Sequence, residues 1–311
     1  MALSCARIWA QPLFPSKPLR IIVPFGAGGV ADLTARAVGQ RLSERLQQPV
    51  VIDNRPGAGG AVAGELVARA EPDGYTLLLM SNATAVSASL FKSLPFNPRT
   101  DFAPISLLGV FDMAVVVPEQ SAHKTLADLF AWARAHPGQM NIATIQVGST
   151  QNLAAEWLRT QANLQAQIVP YNGTPAVLQA LRGGQVDIAI EILGPLRPHI
   201  AARAVRVLGV MGDQRPKDMP LVPTLRELPG LGHVQVASWN ALAAPAKTPR
   251  PVIERLHNEL VAILQEPETV QRLSNLQVRA QASSPAQLAA LLERETLRWR
   301  EVIERAGITP Q

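Results

Sequence analysis

Cysteine is nearly absent: Cys5 is the single one in 311 residues. That excludes an intrachain disulfide and any cysteine-rich metal site. Histidine is sparse as well. His123, His136, His199, His233 and His257 make no His-Glu-x-x-His pattern and no paired ligand spacing, so no metal is expected. The G-x-S-x-G elbow of serine hydrolases is missing too. No apolar run in the interior of the chain reaches the ~18 residues that a membrane-spanning helix needs. Charged residues are only 17%, but 47% hydrophobic content is far from a disordered composition. The formal charge of +5 comes from 29 Lys and Arg against 24 Asp and Glu, spread along the whole chain. Such a bias draws in an anion; with no basic tract interleaved with aromatics, no nucleic-acid partner is expected.

What is present is length and alternation. A chain of 311 residues is near the size at which one core gives way to two, so two lobes are expected. Residues 1–14 stand apart from them: Met1 to Pro12 reads like the tail of a secretory signal, with Ile8-Trp9-Ala10 resembling a cleavage site before Gln11, although a charged n-region and a full apolar h-region are missing. From Leu19 onward, short apolar runs alternate with segments at helical spacing, the pattern of an α/β protein. Strands are expected at Leu19–Phe25, Val50–Ile52, Thr76–Met80, Met140–Thr144, Gln167–Pro170, Asp187–Glu191, Val205–Val210 and Val234–Ala243. Phe102–Val117 holds two apolar runs separated near Gly109. The longest helical patterns are Asp32–Leu46, Pro251–Gln265 and Pro285–Ala306.

Residues 22–32, I-V-P-F-G-A-G-G-V-A-D, run from a buried strand through glycines into a helix. Free N–H groups at such a helix start bind anions without a charged side chain. The stretch is neither a G-x-G-x-x-G dinucleotide fingerprint nor a phosphate loop, which would need a Lys and a Ser or Thr after it. It fits an anion site or a tight turn with no ligand. Gly148-Ser149-Thr150 repeats the arrangement after the Met140–Thr144 strand, where Ser149 or Thr150 can cap the helix carrying Asn152. Two helix starts from two lobes could grip one anion from both sides.

Longer motifs carry a resemblance. K17-P-L-R-I-I-V-P-F-G-A-G-G-V-A-D-L-T-A-R36, V51-I-D-N-R-P-G-A-G-G60, A70-E-P-D-G-Y-T-L-L-L79 and L94-P-F-N-P-R-T-D-F-A-P-I-S-L-L-G109 are followed by V169-P-Y-N-G-T-P-A176, G183-G-Q-V-D187 and W239-N-A-L-A-A-P-A246. In this order they resemble the periplasmic solute receptors of tripartite tricarboxylate transporters, the Bug family, over almost the whole chain from Phe14.

The resemblance implies a two-lobed α/β fold, the type II periplasmic binding protein fold, with a ligand cleft between the lobes. The first lobe would be residues 15–116 completed by 236–311, and the second 117–235. It implies a periplasmic monomer that closes over a small organic acid or amino acid and delivers it to a membrane permease, with no cofactor and no catalysis. A sensor that presents its bound form to a membrane regulator, and an enzyme acting on a small organic acid, are the alternatives. Carried over by motif, the first clamp is Phe25, Gly28, Gly29, Val30 and Ala31 with Asp32 supporting the loop, and Ser81 and Asn82 follow the third strand. Ser149 and Thr150 oppose them, with Asn152, Tyr171 and Asn172 nearby, while Glu191 and Trp239 would line the hinge side of the cleft. Phe25 and Tyr171 could equally be wall packing, and Trp239 core or hinge packing.

Two departures from the family pattern matter. Asn152 stands where members commonly carry histidine, which weakens any imidazole contact. Glu191, if it faces the cleft, disfavours a second carboxylate and favours an ammonium group, so the expectation leans toward an amino-acid-like or single-carboxylate ligand.

Overall fold

The computed structural model describes residues 14–310 except Gly148 and His233. Cys5, the signal-like segment through residue 13, and the Gly148 position of the second clamp lie outside the described residues. The first elements are β1 (Leu19–Val23), α1 (Val30–Leu46), β2 (Val50–Asn54), α2 (Ala61–Ala68), β3 (Thr76–Ser81) and α3 (Asn82–Leu90). The middle of the chain forms β4 (Phe102–Pro118), α4 (Leu126–Ala135), β5 (Met140–Ile145), α5 (Thr150–Gln161), β6 (Ala166–Tyr171), α6 (Thr174–Arg182), β7 (Ile188–Ile192), α7 (Leu193–Ala201) and β8 (Val205–Val210). It ends in β9 (Ala237–Pro245), α8 (Arg250–Ile263), α9 (Pro267–Asn275), β10 (Arg279–Ala280) and α10 (Pro285–Ala306).

The strands run in the order β2-β1-β3-β9-β4-β7-β5-β6, with β8 and β10 also paired to β4. β1 is parallel to β2 and β3, and β5 to β6 and β7. The interior strand β3, buried on both faces, reads as a continuous apolar run, T-L-L-L-M-S, whereas the edge strands β2 and β6 are partly exposed. β9 and β4 are antiparallel to their neighbours and occupy the middle. One strand serves both groups: β4 pairs with β9 from Phe102 to Asp112, then with β7 and β8 from Met113 to Pro118.

The sequence reading places a break near Gly109, yet β4 is continuous there. Gly109 is needed for close approach, not for a turn: a Cβ on it would lie 2.8 Å from the Arg279 carbonyl oxygen and 2.5 Å from Val278. Helix α3 was not legible either. Its sequence, N-A-T-A-V-S-A-S-L, is small and weakly amphipathic, and what defines it is the cap: Ser81 accepts from the Ala83 N–H and Thr84 returns a bond to the Ser81 N–H. The expected strand at Val234 begins instead at Ala237. α10 starts with a Ser284–Gln287 capping box and stops at Gly307 in the left-handed region, as its sequence signals require.

Candidate functional site

β1 ends at Val23, and the chain turns through Pro24–Gly29 into α1. No side chain caps this helix start, which leaves the first-turn N–H groups of Val30 and Ala31 without a capping side chain. Gly28 has φ +84°, a conformation that disfavours any side chain. Its N–H points inward and donates to Asp32 Oδ2 at 2.8 Å, so Gly28 is not the free donor the clamp assignment supposed. Asp32 is enclosed and also accepts from Arg36 Nε at 3.0 Å. Burial opposes its ionisation, but the bonds from Arg36, the Gly28 N–H and Asn54, with the Arg36 charge, outweigh burial and hold the carboxyl below the usual carboxylate range. Arg36 reaches Asn54 Oδ1 at 3.2 Å, and Asn54 Nδ2 donates to the Phe25 carbonyl at 3.0 Å. The second glycine-rich stretch, beginning D-N-R-P-G, thus braces the first.

In the middle of the chain, Ser149 caps α5: its Oγ accepts the Asn152 N–H at 3.1 Å. Asn152 is buried and donates through Nδ2 to Thr144 Oγ1 at 3.3 Å, so it secures the turn. Thr150 is half-buried as the first helical residue. Glu191, at the end of β7, has no exposure. Its Oε1 accepts Gln151 Nε2 at 2.7 Å and the Ile192 N–H at 2.9 Å, and Oε2 accepts the Thr174 hydroxyl at 2.9 Å. Burial pushes its carboxyl up against the opposing pull of those bonds. The expectation that Glu191 faces the ligand is corrected: it lies beneath the starts of α5 and α6 and ties them together. Trp239 is corrected likewise, being core packing at 2% exposure rather than cleft wall.

A cavity of about 900 Å³ separates the two sides, with Gly28 and Gly29 on one wall and Thr174, Leu178, Arg182 and His199 on the other. Of the residues the sequence singled out, only the two glycines line it. Phe25 and Tyr171 are half-buried against the cores, Asn172 is exposed, and Val30 and Ala31 are half-buried at the helix start. Ser81 and Asn82 are buried: Ser81 caps α3 and Asn82 donates to the Ala237 carbonyl at 3.2 Å. Thr174 and the α6 face were missed. Pro175, Leu178, Gln179 and Arg182 fall at i, i+3, i+4 and i+7, a single helix face that periodicity would have shown. Among the described residues, no group of three or more His, Cys, Asp or Glu could hold a metal ion.

Asp112, the last β4 residue paired to β9, borders a second cavity of about 340 Å³ with Arg279 and residues 214–218. Gly212 packs directly on its carboxylate. Burial raises the Asp112 pKa from 3.8 to about 6; Arg279 pulls it down and Asp213 adds to the rise.

Residues 34–308 match the family model described as the tripartite tricarboxylate transporter family receptor. A protein of a Pseudomonas species, named for its place in a tcbD-tcbE intergenic region, is 35% identical over 97% of this chain and 90% of its own. Among solved structures, a Rhodopseudomonas palustris protein with adipate aligns with TM-score 0.86 and 30% identity, covering 96% of this chain and all of that one. MatC from the same organism, with bound malate, aligns with TM-score 0.81 and 31% identity over 93% of this chain and all of that one. The periplasmic binding protein BugD aligns with TM-score 0.83 and 29% identity over 96% of this chain and all of that one, so the α/β architecture is that of periplasmic binding proteins.

Proposed function

Because the chain belongs to the receptor family of tripartite tricarboxylate transporters, we propose that it captures a small carboxylate-bearing metabolite in the 900 Å³ cavity and delivers it to a tripartite permease. The observation that carries this reading is the uncapped start of α1, held open by the Gly28–Asp32–Arg36 bonds and facing the start of α6 across that cavity. A carboxylate placed there receives backbone N–H donors and the positive end of α1 together. The walls approach each other on binding, shedding water and strengthening those contacts. In this reading the lobes are residues 15–116 with 236–311, and 117–235. The change of β4 partners between Asp112 and Met113 supports a hinge close to the first boundary.

The receptor works as a periplasmic monomer, and no chemical step is assigned to it. The related structures with adipate and malate supply the probes. Calorimetry with malate, adipate, succinate, aspartate and benzoate is expected to show saturable binding of at least one. Silence across the whole panel, with the protein folded by circular dichroism, overturns the proposal.

A further inference from the structure

A threonine hydroxyl has one proton to give and two lone pairs to receive. At Thr174 the proton is already committed: Oγ1 donates to Glu191 Oε2 at 2.9 Å, while the other carboxylate oxygen is held by Gln151 and the Ile192 N–H. With donors arriving at both of its oxygens Glu191 is set to accept rather than donate, so Thr174 is left with lone pairs to turn toward the cavity it lines. The backbone around it strengthens the contrast with the opposite wall. Pro175 has no N–H, and the Ala176 and Val177 N–H groups both donate to the Gly173 carbonyl at 3.2 Å. The start of α6 therefore offers few donors, whereas the start of α1 offers little else.

We propose that Glu191 is a positioning residue that makes Thr174 a hydrogen-bond acceptor, so that the cavity selects carboxylates carrying a neighbouring donor, α-hydroxy or α-amino acids, over unsubstituted ones. The inference rests on the reading of this cavity as a carboxylate site. The ligand carboxylate takes the α1 side, and its hydroxyl or ammonium group takes the Thr174 side. An unsubstituted acid strips water from the Thr174 oxygen and gives nothing back, which is the situation in which a polar site discriminates best. Glu191 does not meet the ligand, since it has no exposed surface.

The matched series of succinate, malate and aspartate tests this, because the three share one skeleton and differ only in the donor. By calorimetry at pH 7.5, malate or aspartate is expected to bind at least about tenfold more tightly than succinate. E191Q places an amide N–H against Thr174 and frees its proton for the cavity, and T174V removes the hydroxyl altogether. Each is expected to bring the ratio to within about threefold, while T174S keeps it. Should E191Q fold poorly, T174V alone carries the test, since Thr174 lies at a half-buried helix start. Equal affinities across the series in the unmodified protein overturn this inference and leave the receptor reading standing. A full ratio surviving in T174V does the same. No saturable binding by any of the three overturns this inference, and the receptor reading falls with it only when adipate and benzoate are silent too.

Discussion

Asp112→Asn should stabilise the protein at neutral pH and do nothing for it in acid. Asp112 is half-buried on β4, and its carboxyl is pushed from 3.8 to about 6, burial being the main cause. The folded chain therefore holds a proton that the unfolded chain releases near pH 4. Between those values the unfolded state binds fewer protons, so stability falls as pH rises and is lowest above pH 6. A rise of this size corresponds to about 3 kcal/mol at roughly 1.4 kcal/mol for each tenfold change. Asparagine keeps the shape against Gly212 and removes the ionisation. Urea unfolding of both proteins, without ligand, at several pH values from 3.5 to 8 measures the difference. The gain from D112N relative to the parent should grow by about 2–3 kcal/mol between pH 3.5 and 7.5, moving the urea midpoint by about 1 M. A difference that stays flat across that range would refute the reasoning, because it would mean that Asp112 ionises as freely in the fold as outside it.

Further perturbations probe the frame around the cavity. Gly109→Ala puts a methyl against the Arg279 carbonyl oxygen and Val278, and thermal unfolding should show a loss of about 2–4 kcal/mol. Asp32→Ala strands the Gly28 N–H and frees Arg36; carboxylate affinity measured by calorimetry should drop at least about tenfold. Because the Asp32 carboxyl sits below its ordinary value, the stability it contributes is present above pH 4 and vanishes as pH falls through the folded value, so an acid titration should loosen residues 26–31 first in hydrogen exchange. Ser149→Ala removes the α5 cap and should cost about 1 kcal/mol by chemical denaturation.

The sequence announced the α/β alternation and the glycine turn before α1 through apolar runs and helical spacing, and both are where the pattern puts them. It did not reveal α3, whose Ala and Ser positions leave almost no periodic signal. Nor did it show that β4 passes straight through Gly109, since the reason lies in β10, far along the chain. At the candidate site, the motifs named loops and not the bonds that individual atoms make. Gly28 gives its N–H to Asp32 and Asn152 closes a turn, local bonds set by the backbone path of each loop, whereas Glu191 is hidden because strand and helix ends distant in sequence meet over it. Thr174, inside the stretch of residues 169–176, carries no signal of its own in the sequence, since its bond is to the Glu191 carboxylate beneath it.

The sharing of β4 also dictates an order of assembly. Its first half and β3 obtain their common neighbour only when β9 is available, and Leu78 is then paired with Ala243. A nascent chain halted at residue 235 would hold two raw strand edges, open to pairing with other chains. Completion from the carboxyl terminus makes this a fold that cannot be secured piecemeal from its beginning, so keeping the chain unfolded until its last quarter has arrived protects it from premature association.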